Sequence, residues 1–239
     1  MSLLVEERAS ESPYVQTIMH GWTLDAGSTI RPAESHWHMV FVKETGNFRP
    51  LLVGALTSSG KVSWGKGAEI LWIKFKLGTF MPHLAAKQFV NTEMPMPEAT
   101  GQTFWLKSAT WQCPNFENVE GFVNRLVQQE ILVHDPIVDA VLEEQPQAMA
   151  ERTIRHRFLR ATGLSQCHLR QHERAQQAAA RLRQGVTILD TVYELGYFDQ
   201  PHLIRSLKHF VGQTPSQIIG QATAQSLHVS QPNQGRVTK

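Results

Sequence analysis

Two hydrophobic periods divide this chain of 239 residues. As far as about Phe116, apolar residues fall in short runs that alternate with polar ones. Beyond that point they recur every three to four positions. The clearest alternating run is Ile70 to Leu77 (ILWIKFKL), where Leu71, Ile73, Phe75 and Leu77 share one face and Lys74 and Lys76 the other. That is the period of two expected of a half-buried strand. His38 to Val42 and Leu51 to Leu56 are further strand-like runs. Thr45-Gly46-Asn47, Ser58-Ser59-Gly60 and Gly65-Lys66-Gly67 supply the turns. Short strands at this spacing predict a small antiparallel barrel or sandwich. Between Met81 and Phe116 the pattern is interrupted by Pro82, Pro95, Pro97 and Pro114 and assigns no element.

The helical period begins with Glu117 to Val133, where Val119, Phe122, Val123, Leu126 and Val127 line one face. The stripe suits packing on the strands or pairing with a second subunit, and spacing does not choose between them. Asp135-Pro136 reads as a cap and first turn for a helix over Ile137 to Glu144. A helix around Phe158 buries Ile154, Phe158 and Ala161 and ends at Thr162-Gly163. Ser165 caps a longer helix, rich in alanine (Ala175, Ala178, Ala179, Ala180) and free of breakers, that stops at Gly185. About twenty residues at ~1.5 Å each make it roughly 30 Å long.

Thr187 to Asp190 resembles a capping box, and Ile188, Val192 and Leu195 form the buried face of a short helix closed by Gly196. Asp199 caps the next helix, with Leu203, Leu207 and Phe210 inward, and Thr214 to Gln217 opens a last one. The expected fold class is α+β. A β-rich region (1–116) is followed by a connecting, possible dimerisation, helix (117–134), an all-helical domain (135–220) and a disordered polar tail (221–239).

Charge changes the picture. Residues 1–149 hold 11 Lys and Arg against 16 Asp and Glu, whereas residues 150–220 hold 10 against 5 and add five histidines. A net charge of +2 over the whole chain conceals this asymmetry. An acidic front and a basic back suggest that only the back touches a polyanion. Two cysteines, Cys113 and Cys167, are too few for a disulfide framework or a four-ligand zinc site. No apolar run approaches the roughly 20 residues that span a bilayer, and MSLLVEERASES lacks the apolar core of a signal peptide. A cytoplasmic protein with no membrane partner is expected.

The basic residues are placed where DNA readers belong. Arg152, Arg155, His156 and Leu159 lie on or near the face opposite the Phe158 stripe. Arginine can donate two bonds to a guanine edge, and histidine can reach a base or a phosphate. A solvated basic face is the plain alternative for this helix alone. In the second unit Arg205 and Lys208 point away from the core stripe, with Gln200 and His202 at the end that would enter a groove. The alanine-rich helix between the units is close in length to the ~34 Å separating successive major grooves on one face of DNA.

These residues resemble the AraC/XylS family of transcription regulators. The resemblance rests on F-x-x-A-T-G-L-S at Phe158 to Ser165, E-L-G-Y-F-D-Q-P-H-L at Glu194 to Leu203 and G-Q-T-P at Gly212 to Pro215, and it covers about Pro136 to Gly220. It implies two helix-turn-helix units joined by a long helix. The base-reading residues it implies are Arg152, Arg155 and His156 in the first unit and Gln200, Pro201, His202 and Arg205 in the second, with Lys208 on phosphate. The partners it implies are double-stranded DNA at an operator or promoter, a small-molecule effector and RNA polymerase, with the chain as monomer or homodimer. No cofactor is implied. The chain departs from the family at Ala150, where Ser or Thr usually caps, in a longer turn over Glu144 to Ala148, and at Pro201, where a polar reader is common. By strand pattern and position the front region resembles the family's cupin-like effector domain, with His36, Trp37, His38 and Trp72 as effector-binding candidates.

A metal-dependent cupin enzyme or metal sensor fused to the DNA-binding domain is the alternative. His36 and His38 share a strand face, and Glu44 and His83 are the further ligand candidates. The Gly and Glu spacings around them fit the usual cupin metal motif poorly, so no metal site is assigned and the protein is not expected to be an enzyme. A cysteine-based DNA-repair sensor is excluded, because Cys113 stands alone in the front half.

Overall fold

The computed structural model describes residues 3–98 and 102–229, with side chains as far as 222. Eleven strands come first among them: β1 (Leu3–Ala9), β2 (Val15–Thr23), β3 (Gly27–Arg31), β4 (His38–Glu44), β5 (Asn47–Val53), β6 (Gly60–Trp64), β7 (Glu69–Phe75), β8 (Thr79–Phe80), β9 (Glu93–Pro95), β10 (Thr103–Leu106) and β11 (Ala109–Gln112). A 3-10 turn at Ala86–Phe89 sits between β8 and β9. Helix α1 (Val119–Gln128), strand β12 (Val133–His134) and helices α2 (Pro136–Leu142), α3 (Glu151–Thr162), α4 (Gln166–Arg183), α5 (Ile188–Glu194), α6 (Gln200–Phe210) and α7 (Pro215–Val229) follow. The chain is thus a β-rich region followed by a helical one.

Six strands make one antiparallel sheet in the order β1-β2-β7-β4-β5-β9. Its main apolar face, with Ile18, Met39, Phe41, Leu52, Ile73 and Phe75, packs against Val119, Phe122, Val123 and Leu126 of α1 and against Phe104 and Trp111. The other face carries a smaller cluster of Val40, Val42, Val53 and Ala68, with Trp72 against it. Burial on both faces is why His38 to Val42 reads as a continuous apolar run without alternation. Gly21 sits under Trp72, where an added Cβ would stand 2.9 Å from the indole and 2.9 Å from the Leu4 carbonyl oxygen. A side chain on β2 at that point would displace the ring or the edge strand.

The structure decides one alternative that spacing left open and departs from the sequence-based expectation at three places. The stripe of α1 is spent inside the first core, so it is not available for pairing subunits. The same helix stops at Gln128, short of Val133, because Glu130 adopts φ 53° and β12 pairs with β8. Strand β1, which is exposed and charged, shows no apolar alternation; its ladder to β2 and the Arg8–Glu120 pair at 2.6 Å hold it. Helix α7 continues to Val229, past Gly220, where a disordered tail was expected. Its Gln, Ala, Ser and Leu contain no breaker after Gly220, and one glycine inside a helix costs only about 1 kcal/mol. Residues 230–239 of that tail lie outside the described residues.

The helical region has two cores. Ala175, Ala178, Ala179 and Leu182 of α4 meet Leu203, Leu207 and Phe210 of α6, and Ala33 of the β-rich region joins them. Phe158, Ala161, Leu164 and Leu169 meet Ile137 and Val138 of α2, together with Ala55 and Phe80 from the β-rich region. Each helical unit therefore borrows part of its apolar cover from the strands.

Candidate nucleic-acid interface

Helix α6 is built to present its outer face. Asp199 adopts an extended backbone, and its Oδ1 accepts from the His202 amide at 2.6 Å, satisfying one of the orphan donors of the first turn. Pro201 fits that turn because no intrahelical partner awaits its nitrogen. Gly196, at φ 66°, makes the turn from α5, and Tyr197 is buried beneath it. Leu203, Leu207 and Phe210 then face α4, where the alanines let the helices approach closely. Gln200, Pro201, Arg205 and Lys208 are left exposed on the outer surface. His202 is half-buried, with Nδ1 accepting from the Phe198 amide at 3.3 Å and the ring edge-on to Tyr197. It positions the turn as well as standing at the N-terminal end of α6.

Helix α3 is seated differently. Ala150 is extended and makes no side-chain cap, as its methyl group requires. Its fixed points are Arg157, whose Nε donates to Asp135 Oδ2 at 3.0 Å, and Thr162, whose hydroxyl donates to the Phe158 carbonyl at 2.8 Å. Gly163 at φ 73° ends the helix with its amide on the Leu159 carbonyl. An added Cβ there would stand 2.9 Å from Val90 and 3.0 Å from the Ala86 backbone, so the glycine also permits close docking on the 3-10 turn. Arg152, Arg155 and His156 are exposed on the opposite face, with Arg155 paired to Glu151 one turn earlier.

Three features were missed in the sequence. Arg170, on the first turns of α4, joins Arg155 and Leu159 around an open hollow of about 500 Å³ beside α3. Arg174 lies 4.6 Å over the Tyr197 ring and ties α4 to the second unit's turn. Phe198 stands 91% exposed just before the Asp199 cap. Only Phe198 left a signal, an apolar residue in an otherwise polar capping segment.

The effector candidates do not converge. Trp37 is core, stacked on Phe75 at 4.1 Å with its indole nitrogen donating to the Thr79 carbonyl at 2.7 Å. Trp72 lies on the other face of the sheet. His36 bonds Glu34 at 2.8 Å, and Lys74 bonds the same carboxylate at 2.6 Å. Burial opposes the Glu34 charge, but His36 and Lys74 overcome it and hold the carboxyl far below its usual range. His38 lies close by with Nδ1 unpartnered, and burial pulls its pKa down to about 4. Glu44 pairs instead with Arg49, and His83 is exposed. Among the described residues no three His, Cys, Asp or Glu are grouped to hold a metal ion, so the ligand set suggested by His36, His38, Glu44 and His83 does not assemble.

The segment beside this cluster carries the β-rich region onto the helices. The Ala33 amide donates to the Phe210 carbonyl at 2.7 Å. His172 of α4 bonds the Ser35 hydroxyl at 2.7 Å and the Ala33 carbonyl at 3.1 Å. Ser59 donates from its amide to the His209 carbonyl at 2.7 Å and from its hydroxyl to the Lys208 carbonyl at 2.9 Å. The last carbonyls of α6, which have no intrahelical partners, are thus capped by the β-rich region.

A short helix, a glycine turn and a capped second helix with an exposed basic face define a helix-turn-helix DNA-binding unit. The comparison with known families agrees: residues 147–221 match the family model described as "Helix-turn-helix domain", and this stretch is an AraC-type helix-turn-helix domain. No curated protein matches the chain. Among solved structures, an apo form of a ToxT point variant from Vibrio cholerae strain SCE256 is similar at 10% identity and a TM-score of 0.37, over 92% of this chain and 97% of that one. No helix among the described residues is long and apolar enough to cross a membrane.

Proposed function

We propose that the protein is a sequence-specific transcription regulator that reads an operator or promoter with α3 and α6. The observation that carries this is α6, whose inner face is locked into a core while Gln200, Pro201, Arg205 and Lys208 stand free at its surface. Arg205 is the base reader, bidentate on a guanine edge, and Lys208 contacts phosphate. Arg152, Arg155 and His156 read for the first unit. The protein is controlled by a small molecule bound in the cupin-like front region. The unpartnered His38 nitrogen beside Glu34 and Lys74 supports this, because the chain from Ala33 to His36 runs straight onto α4 and α6.

The test is a pair of variants assayed on DNA selected from a random pool. Arg205→Ala is expected to cost roughly 1–3 kcal/mol on the selected site and to relax preference at one base position. Lys208→Ala is expected to weaken all sequences alike and to lower the salt slope by about one. Parent-like binding by both variants sinks this placement of α6.

A further inference from the structure

Both reading elements present a large apolar side chain among their polar readers, and neither packing nor capping accounts for it. On α3, Arg152, Arg155, His156 and Leu159 follow one another at i, i+3, i+4 and i+7, so they form one stripe beside the buried Phe158. Leu159 is 38% exposed and walls the hollow that Arg155 and Arg170 also line. In the second unit Phe198 stands immediately before the Asp199 cap. Its amide is bonded to His202 Nδ1 at 3.3 Å, which fixes it to the end of α6 carrying Gln200 and Pro201.

A phosphate offers nothing to a leucine or a phenylalanine. The apolar group that the floor of the major groove presents at base edges is the thymine 5-methyl group, and contact with it discriminates thymine from the other bases. Arg155 and Arg170 beside Leu159 suit a groove bounded by phosphates. Resting on the DNA-reading proposal above, we infer that Leu159 and Phe198 are specificity-determining residues, each reading the 5-methyl group of a thymine.

The experiment uses the full-length protein and DNA recovered by random-pool selection. Each thymine in turn is replaced by deoxyuridine, which removes the methyl group and keeps every hydrogen-bonding atom. Parent protein is expected to lose about four-fold in affinity at one thymine in each half of the site, the equivalent of about 0.8 kcal/mol for one buried methyl group. Leu159→Ala is expected to abolish the difference between thymine and deoxyuridine at the first position and Phe198→Ala at the second. Thermal melting of Phe198→Ala is expected to match the parent, since that side chain is 91% exposed, and Leu159→Ala is compared on thymine and deoxyuridine DNA well below its own melting temperature.

Selected DNA whose thymines tolerate deoxyuridine throughout overturns the inference and leaves the regulator reading intact. So does a variant that loses affinity equally on thymine and deoxyuridine DNA, which would make the residue a packing element or a sugar contact. A pool that yields no bound sequence overturns the regulator reading and this inference with it.

Discussion

His38 shows how far one residue's surroundings can reverse its expected chemistry. Paired with His36 by spacing, it suggested a metal ligand or a pocket wall; in the fold it is held neutral by burial. The groups facing it are Glu34, which favours its charged form, and Lys74, His36 and Arg31, which oppose it. A histidine whose pKa falls from 6.5 in the open chain to about 4 in the native state binds its proton only on unfolding across that window. Stability from this site is therefore complete above about pH 6.5 and declines as pH falls toward 4. Glu34 keeps its charge throughout that range, because its own pKa lies below it. Thermal melting between pH 7 and pH 4 should show the decline, and His38→Asn should flatten it. An unchanged pH profile in that variant would assign the effect elsewhere.

At the scale of elements, caps were legible because their chemistry is local. Asp135, Ser165, Thr187 and Asp199 each accept from the backbone amide expected of them, and Thr214 and Gln217 form a reciprocal box. Asp199→Ala is expected to destabilise the protein by about 1 kcal/mol, as lost caps do, measured by urea denaturation. Because the same cap sets the start of α6, this variant should also bind DNA less tightly than its stability loss explains. Asp190→Ala provides the comparison, since Asp190 is exposed on α5 and its side chain accepts from the Thr187 hydroxyl, away from α6. Helix α4 was legible in its limits, Ser165 to Gln184, and only in part in its role. Its 18 residues span about 27 Å, but its alanines form the floor of the second unit's core and are not merely a spacer's surface. Helix ends set by a partner were not legible: β12 claims residues that the apolar stripe alone would have extended into α1.

For the whole molecule, the consequence is that both helical units take part of their cover from the strands, the first unit more of it. The core around α3 includes Ala55 and Phe80, and Arg160 lies 5.6 Å over the Phe80 ring. The core around α6 takes Ala33 from the β-rich region, and Ser59 and Ala33 also cap its last carbonyls. A fragment of residues 135–220 is expected to retain DNA contact by the second unit and to lose that of the first. Footprinting would show protection over half of the full-length site. Full protection by the fragment would mean that the strands are dispensable to α3.

Helix positions, their caps, the basic outer faces and the kinship of residues 147–221 were determined by sequence alone. These depend on neighbours three or four residues apart, whose geometry the backbone period fixes. Tertiary structure decided what distant segments do to one another. It buried the α1 stripe within the strands' core, separated Trp37 from Trp72 across a sheet, and placed Ser35 against His172 and Ser59 against the end of α6. Each of those contacts joins residues remote in the chain. Only the pairing of the strands and the docking of helices on them bring them within hydrogen-bonding or van der Waals reach, and no local period records that.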